Sequence, residues 1–259
     1  MNIIKYFIKK LFGLFDLKIS KISSKPKYFT YCNFPVVDAK KEIVDTINTC
    51  KSFSMTSELR MYVLSQAIEY IYKKKIEGDF VECGVWRGGN LMLMNKLNTF
   101  YALNKIIYGF DTFEGMTAPN NFDIDYKNTS ASSQMNNSLK SKDLKNVHCY
   151  SPIEEVIKNL KNYSNIDNIK LIKGSVEKTL LDRNNLPKKI SLLRLDTDFY
   201  DSTLVELKLL YPLLVKGGVL IIDDYGHWKG CKKAVDEYFE NTYQFFHYID
   251  HSARMIIKD

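Results

Sequence analysis

Two of the most apolar runs in this chain end in clustered acids. Residues 193–203 read LRLDTDFYDST, and residues 220–226 read LIIDDYG. The same design, an apolar run closed by an acid or a glycine turn and followed by a helical stretch, recurs at GDFVECG (78–84), KIIYGFD (105–111), NIKLIKG (168–174) and KISLLRLD (189–196). Continuous apolar strands without polar alternation are buried on both faces, so the repeated unit predicts a mostly parallel sheet with helices on both sides. A carboxylate at a buried strand tip is costly unless something cationic meets it. In open sheets of this class ligands bind outside the carboxyl ends of the strands, where these acids stand.

Between the strands, TSELRMYVLSQAIEYIYKKK (56–75) has helical spacing behind a Thr/Ser start. GGNLMLMNKLNTFYALN, SPIEEVIKNLKNY, STLVELKLLYPLLV and CKKAVDEYFEN have the same character. Ser202 and Thr203 suggest a helix N-cap, and GGVLIIDD the strand after it. YQFFHYID and ARMIIKD predict a terminal hairpin that adds an antiparallel edge. Residues 112–150, rich in Asn, Ser and Lys, read as a lid above the sheet. The organisation expected is a basic extension and linker over 1–50, then one α/β domain over 51–259.

Charge is unevenly placed. Residues 1–27 hold seven lysines and one acid, six of the seven net positive charges of the chain. The stretch alternates apolar and Lys positions. It lacks a cleavage signal and is too charged to span a bilayer, but it fits an anionic membrane surface or a packing helix. The remainder is nearly neutral, which argues against a nucleic-acid partner. Five scattered cysteines, with no CxxC or Cys/His pairing, argue against a disulfide framework and a zinc site and suit a reducing cytoplasm.

The chemistry concentrates at two places. In VECGVWRGG (81–89), Gly84 and Gly88 let a ligand approach the backbone at a helix start. The pattern is not the G-x-G-x-x-G of a pyrophosphate site. Glu82 would repel phosphate but suits the ammonium and sulfonium of S-adenosylmethionine. Asp111, 27 residues past Gly84, is placed to accept both hydroxyls of a ribose. Arg87 suits either the methionine carboxylate or a neighbouring acid. At the second place Asp196, Asp223 and Asp224 are hard oxygen donors suited to Mg²⁺, Mn²⁺ or Ca²⁺. Asp198 is within reach to act as general base toward a hydroxyl, or to orient a metal ligand. His227 and Trp228 suit an acceptor pocket or a packed loop.

Together GDFVECGVWRGGN, FDTFEGM, LRLDTDFYDST and GGVLIIDDYG…GCKKAVDEY resemble the TylF-like macrocin O-methyltransferase family, from about residue 50 to 259. The resemblance implies the class I methyltransferase fold, Rossmann-like, with a seven-stranded, mostly parallel sheet. It implies S-adenosylmethionine and Mg²⁺ as cofactors and sugar hydroxyls on glycosylated products as acceptors; a glycan, a glycosylated metabolite or a nucleotide-linked sugar all fit a sugar or sugar-like polyol. It implies metal ligation by Asp196, Asp223 and Asp224, with Asp198 as base. It also implies cofactor contacts from Met55, Thr56, Glu82, Gly84, Asp111 and Ser175, and a homo-oligomer. The basic first 27 residues fall outside the pattern, and 112–150 matches it loosely. Two other readings stand beside it: a glycosyltransferase using DTD (196–198) as a D-x-D motif, and a non-catalytic binding protein on the same fold.

Overall fold

The computed structural model describes residues 30–31, 34–141 and 146–259. The basic stretch 1–27, with both of its readings, membrane surface and packing helix, lies outside them. The chain divides into two compact units, residues 1–38 and 39–259. In the first, Thr30–Tyr31 pairs antiparallel with Phe34–Pro35. Among the described residues no helix is long and apolar enough to cross a membrane.

The second unit is built on seven strands: β1 (Asp79–Cys83), β2 (Ile107–Asp111), β3 (Ile169–Lys173), β4 (Ile190–Leu195), β5 (Leu214–Ile222), β6 (His247–Tyr248) and β7 (Arg254–Ile257). Their order across the sheet is β3-β2-β1-β4-β5-β7-β6. The first five are parallel, and β7 runs antiparallel to both neighbours. The chain winds outward from β1 to β3, then returns to lay β4 on the other side of β1. The cleft at that reversal, between the carboxyl ends of β1 and β4, is where such sheets take ligands.

The terminal hairpin forms, but it docks by its second strand. Ile256, 1 % exposed, faces the core and pairs with Leu220, whereas His247 and Tyr248 sit exposed on the outer edge. β5 begins earlier than expected. Pro212 sits in the short 3₁₀ turn that ends the preceding helix, and Leu214 already pairs with Ile190. The pairing then jumps to Leu192 with Val219, so the Gly217–Gly218 stretch bulges out of register, with Gly217 at φ +77°.

Helix α1 (Lys41–Cys50) buries Ile43, Val44, Ile47 and Cys50. Helix α2 (Glu58–Lys74) buries Met61, Leu64, Ile68 and Ile71, and starts at Ser57, whose hydroxyl accepts from the Arg60 amide at 3.3 Å. That cap fixes the first turn of α2 beside the cleft.

Within the 112–150 excursion, residues 123–125 are fastened to the segments that follow β4 and β5. Asp123, 1 % exposed, accepts from the Tyr200 amide at 2.8 Å and the Asn120 amide at 2.7 Å. The Ile124 carbonyl accepts from the Lys229 amide at 2.9 Å, and Asp125 bridges to Trp228. This overturns the N-cap expected of Ser202 and Thr203. Both lie inside helix α3 (Tyr200–Leu210), and a carboxylate some eighty residues earlier in the chain caps its first turn instead. Ser202 Oγ donates back to the Phe199 and Thr197 carbonyls.

Candidate active site

Register explains how the acids meet. Glu82 on β1 lies opposite Arg194 on β4, which lies opposite Ile221 on β5. Side chains two apart share a face, so Asp196 and Asp223, two residues beyond Arg194 and Ile221, project beside Glu82 and Arg194. Arg194, 1 % exposed, lies in their midst. Its Nη1 donates to Glu82 Oε1 at 2.7 Å and to Asp196 Oδ2 at 2.8 Å. Its Nη2 donates to Asp223 Oδ1 at 2.6 Å and to Thr56 Oγ1 at 2.9 Å. From α2, Arg60 donates through Nη1 to Asp223 Oδ2 at 2.6 Å and through Nε to Asp250 Oδ2 at 2.7 Å. Part of the positive charge that these strand tips demand is therefore protein. Burial pushes the Asp223 carboxyl upward, but Arg194 and Arg60 outweigh it and hold the group below the usual range. Glu82, wholly buried, is pushed up to about 8 despite Arg194.

A second group forms one step nearer the cavity. Asp196, Asp198 and Asp224 each present an oxygen, all within 4.8 Å of one another. The intervening turn is tight: Asp198 has φ +69°, and the Phe199 amide donates to the Thr197 carbonyl at 2.8 Å. Thr197 Oγ1 donates to the buried Glu206 at 2.9 Å, anchoring the turn to α3. Asp224 Oδ2 is buried without a hydrogen-bond partner. Burial, reinforced by Asp196, lifts Asp198 to about 7, and burial also lifts Asp196 and Asp224 well above the carboxylate range. Positive charge placed among the three would oppose every one of those shifts.

The geometry thus sorts the acids differently from the sequence pattern. The expected donor set was Asp196, Asp223 and Asp224, with Asp198 apart as base. The oxygens that gather belong to Asp196, Asp198 and Asp224, while both Asp223 oxygens accept from arginines.

One cavity of roughly 420 Å³ joins both places. Met55, Thr56, Gly84, Asp111 and Ser175 line one part, and Asp196, Asp198, Asp223, Asp224, His227 and Trp228 the other. Trp86, Phe110, Met116 and Cys149 also line it; the first three fall inside stretches marked by their glycines and acids, whereas nothing in the sequence marked Cys149. Glu82, Arg87 and Gly88 are not among the lining residues. Gly88, at φ +92°, opens the Gly89–Phe100 helix, and Arg87 lies over the Trp86 ring with Nε 4.0 Å from Glu155. Asp111 braces the glycine turn: its Oδ2 accepts from the Val85 and Trp86 amides at 2.8 and 2.9 Å, and its Oδ1 from the Phe113 amide at 2.7 Å.

Gly84 is where the cofactor-side turn meets the acid-bearing strand. Its φ is +87°, and a Cβ there would lie 2.0 Å from the Asp196 carbonyl oxygen. Gly84→Ala is accordingly expected to destabilise the fold by about 2–4 kcal/mol, combining a strained left-handed backbone with forced displacement of Asp196. Urea denaturation checks it; an unchanged midpoint would mean that the turn can move freely.

A sheet in this strand order, with one reversed strand near its edge and its cleft at the β1/β4 switch, has the class I methyltransferase fold. The chain belongs to the macrocin O-methyltransferase (TylF) family, whose model matches residues 23–253. It is 31% identical over 182 residues to the demethyldecarbamoylnovobiocin O-methyltransferase of Streptomyces niveus, covering 69% of this chain and 64% of that protein. It is 29% identical over 187 residues to an 8-demethyl-8-(2,3-dimethoxy-alpha-L-rhamnosyl)-tetracenomycin-C 4'-O-methyltransferase of Streptomyces olivaceus, covering 71% and 67%. The matches thus span about two thirds of the length of these relatives. Among solved structures, the O-methyltransferase NovP superposes with a TM-score of 0.67 at 28% identity, over 80% of this chain and 82% of that one.

Proposed function

We propose that this chain transfers the methyl group of S-adenosylmethionine to a hydroxyl of a sugar or sugar-like polyol, assisted by a divalent cation held at the strand-end acids. The observation that carries this reading is the trio of oxygens from Asp196, Asp198 and Asp224, in the same cavity as the Gly84 turn and Asp111. The donor set fits such an ion: hard carboxylate oxygens suit Mg²⁺, Mn²⁺ or Ca²⁺. The buried, unpartnered Asp224 Oδ2 fits it too, because a bare carboxylate oxygen there is costly. When bound, the ion supplies positive charge that acidifies an acceptor hydroxyl.

Asp196 and Asp224 are the proposed holders. Asp223 is the third, through lone pairs that Arg60 and Arg194 leave free, since each carboxylate oxygen has two. Asp198 takes the hydroxyl proton onto a carboxylate oxygen. S-adenosylmethionine, when bound, would supply an electrophilic methyl group whose sulfur leaves as a neutral thioether. The proposed cofactor side comprises Met55, Thr56, Gly84, Asp111 and Ser175 in the cavity wall, with Glu82, Arg87 and Gly88 behind it. The segment around residues 123–125, fastened to both acid-bearing loops, belongs to the proposed cover of the acceptor. Membership in an O-methyltransferase family favours this reading over the D-x-D glycosyltransferase. The tetracenomycin relative, with a rhamnosyl group in the name of its substrate, supports a sugar acceptor.

Incubation with S-adenosylmethionine and a panel of 4-nitrophenyl glycosides, read by mass spectrometry, tests the reading. A glycoside carrying one added methyl group is expected, and exhaustive dialysis against EDTA should abolish it while S-adenosylhomocysteine binding by calorimetry persists. Full turnover after chelation would refute the cation. Failure to bind S-adenosylhomocysteine would refute the cofactor.

A further inference from the structure

A wholly buried arginine near the carboxyl end of a fully buried central strand requires a reason. Taking a guanidinium out of water costs several kcal/mol, offset only where its donors are fully matched. β4 is the most deeply buried strand of the sheet, and apolar side chains surround Arg194 on either side in sequence. An apolar residue at position 194 would pack the same strand without that cost, so packing does not explain it.

The partners of Arg194 do. They come from both halves of the cavity. Nη1 spans Glu82, on the strand that feeds the Gly84 turn, and Asp196, in the acid trio. Nη2 spans Thr56, in the cofactor-side wall, and Asp223, at the tip of β5. Thr56 Oγ1 also accepts from Asn90 Nδ2 at 3.0 Å, which ties the fork to the helix that opens after Gly88. One planar cation thus holds four groups, from β1, the turns after β4 and β5, and the segment before α2. On each side of it one buried carboxylate oxygen is left without a hydrogen-bond partner, Glu82 Oε2 and Asp224 Oδ2.

Resting on the function proposed above, we infer that Arg194 is a shared positioning residue that sets the geometry of the cofactor side and the cation side together. It shares one positive charge among Glu82, Asp196 and Asp223 and holds each in one orientation. A lysine cannot replace it: an ammonium keeps the charge but lacks the flat two-pronged fork that reaches Glu82 and Asp196 through one nitrogen and Thr56 and Asp223 through the other. A purely structural arginine would affect stability and leave ligand affinities alone.

The test compares wild-type protein with Arg194→Lys. S-adenosylhomocysteine affinity is read by calorimetry, Mn²⁺ affinity by electron paramagnetic resonance, and melting temperature alongside. Both affinities are expected to fall about tenfold, as loss of one charge-assisted hydrogen bond on each side predicts. A fall in melting temperature with both affinities intact, or a fall in one affinity alone, overturns the shared role. If Arg194→Lys does not fold, Glu82→Gln decides. Glu82 lies outside the acid trio, so weakened Mn²⁺ binding in that variant supports transmission through Arg194, and unchanged binding overturns it. Wild-type protein that binds neither probe would sink the methyl-transfer reading itself, before any variant is compared.

Discussion

Asp198→Asn is expected to lower the rate of methyl transfer by about 10²–10⁴-fold, the usual contribution of a positioned general base. The substitution is close to isosteric. Asn also tolerates the left-handed backbone that Asp198 adopts at φ +69°, so the turn between β4 and α3 should survive intact. What is lost is an oxygen able to take a proton. Mn²⁺ affinity should fall far less than turnover, because Asp196, Asp223 and Asp224 remain. Single-turnover kinetics beside a Mn²⁺ titration separates the outcomes. Equal losses in both would make Asp198 a ligand, consistent with its place in the trio, and would remove it as the base.

Asp223→Ala is expected to have the largest effect on stability. Asp223 is 3 % exposed and accepts from Arg60 on one oxygen and Arg194 on the other, at 2.6 Å each. Removing it leaves the buried Arg194 and the partly buried Arg60 short of a counter-charge. Breaking such a pair costs about 3–5 kcal/mol. For a chain of this size that corresponds to a melting temperature lower by about 6–20 °C. Calorimetric unfolding checks the value. A loss near zero would mean that Arg60 regroups on Asp250, and Arg194 on Glu82 and Asp196, without strain.

The sheet was legible because its signals are local. Each strand is a short apolar run with an acid or glycine at its end, and alternating helices dictate parallel pairing. Gly84 and the acids at 196, 198, 223 and 224 could be found the same way. The counter-charges could not. Arg194 reads like any arginine near a strand end until β4 is placed between β1 and β5. Only then are Glu82 and Asp223 brought to its two nitrogens, from 112 residues before and 29 after. Arg60 sits on a helix whose pattern says which face is buried but not which strand tip it meets. The cap of α3 by Asp123 is equally non-local. Local signals likewise predicted β5 from its Gly-Gly pair, whereas pairing with Ile190 starts it at Leu214.

These contacts change how the acidic tips are understood. Asp223 is satisfied within the protein, whereas Asp224 Oδ2 is not, and the remaining demand for positive charge lies in the trio facing the cavity. Diffraction at the manganese absorption edge, from crystals grown with S-adenosylhomocysteine and Mn²⁺, tests that most directly. The account predicts one anomalous peak bonded to Asp196 and Asp224, in the same cavity as the bound nucleoside. A structure with S-adenosylhomocysteine in place and no anomalous density among those carboxylates would contradict it.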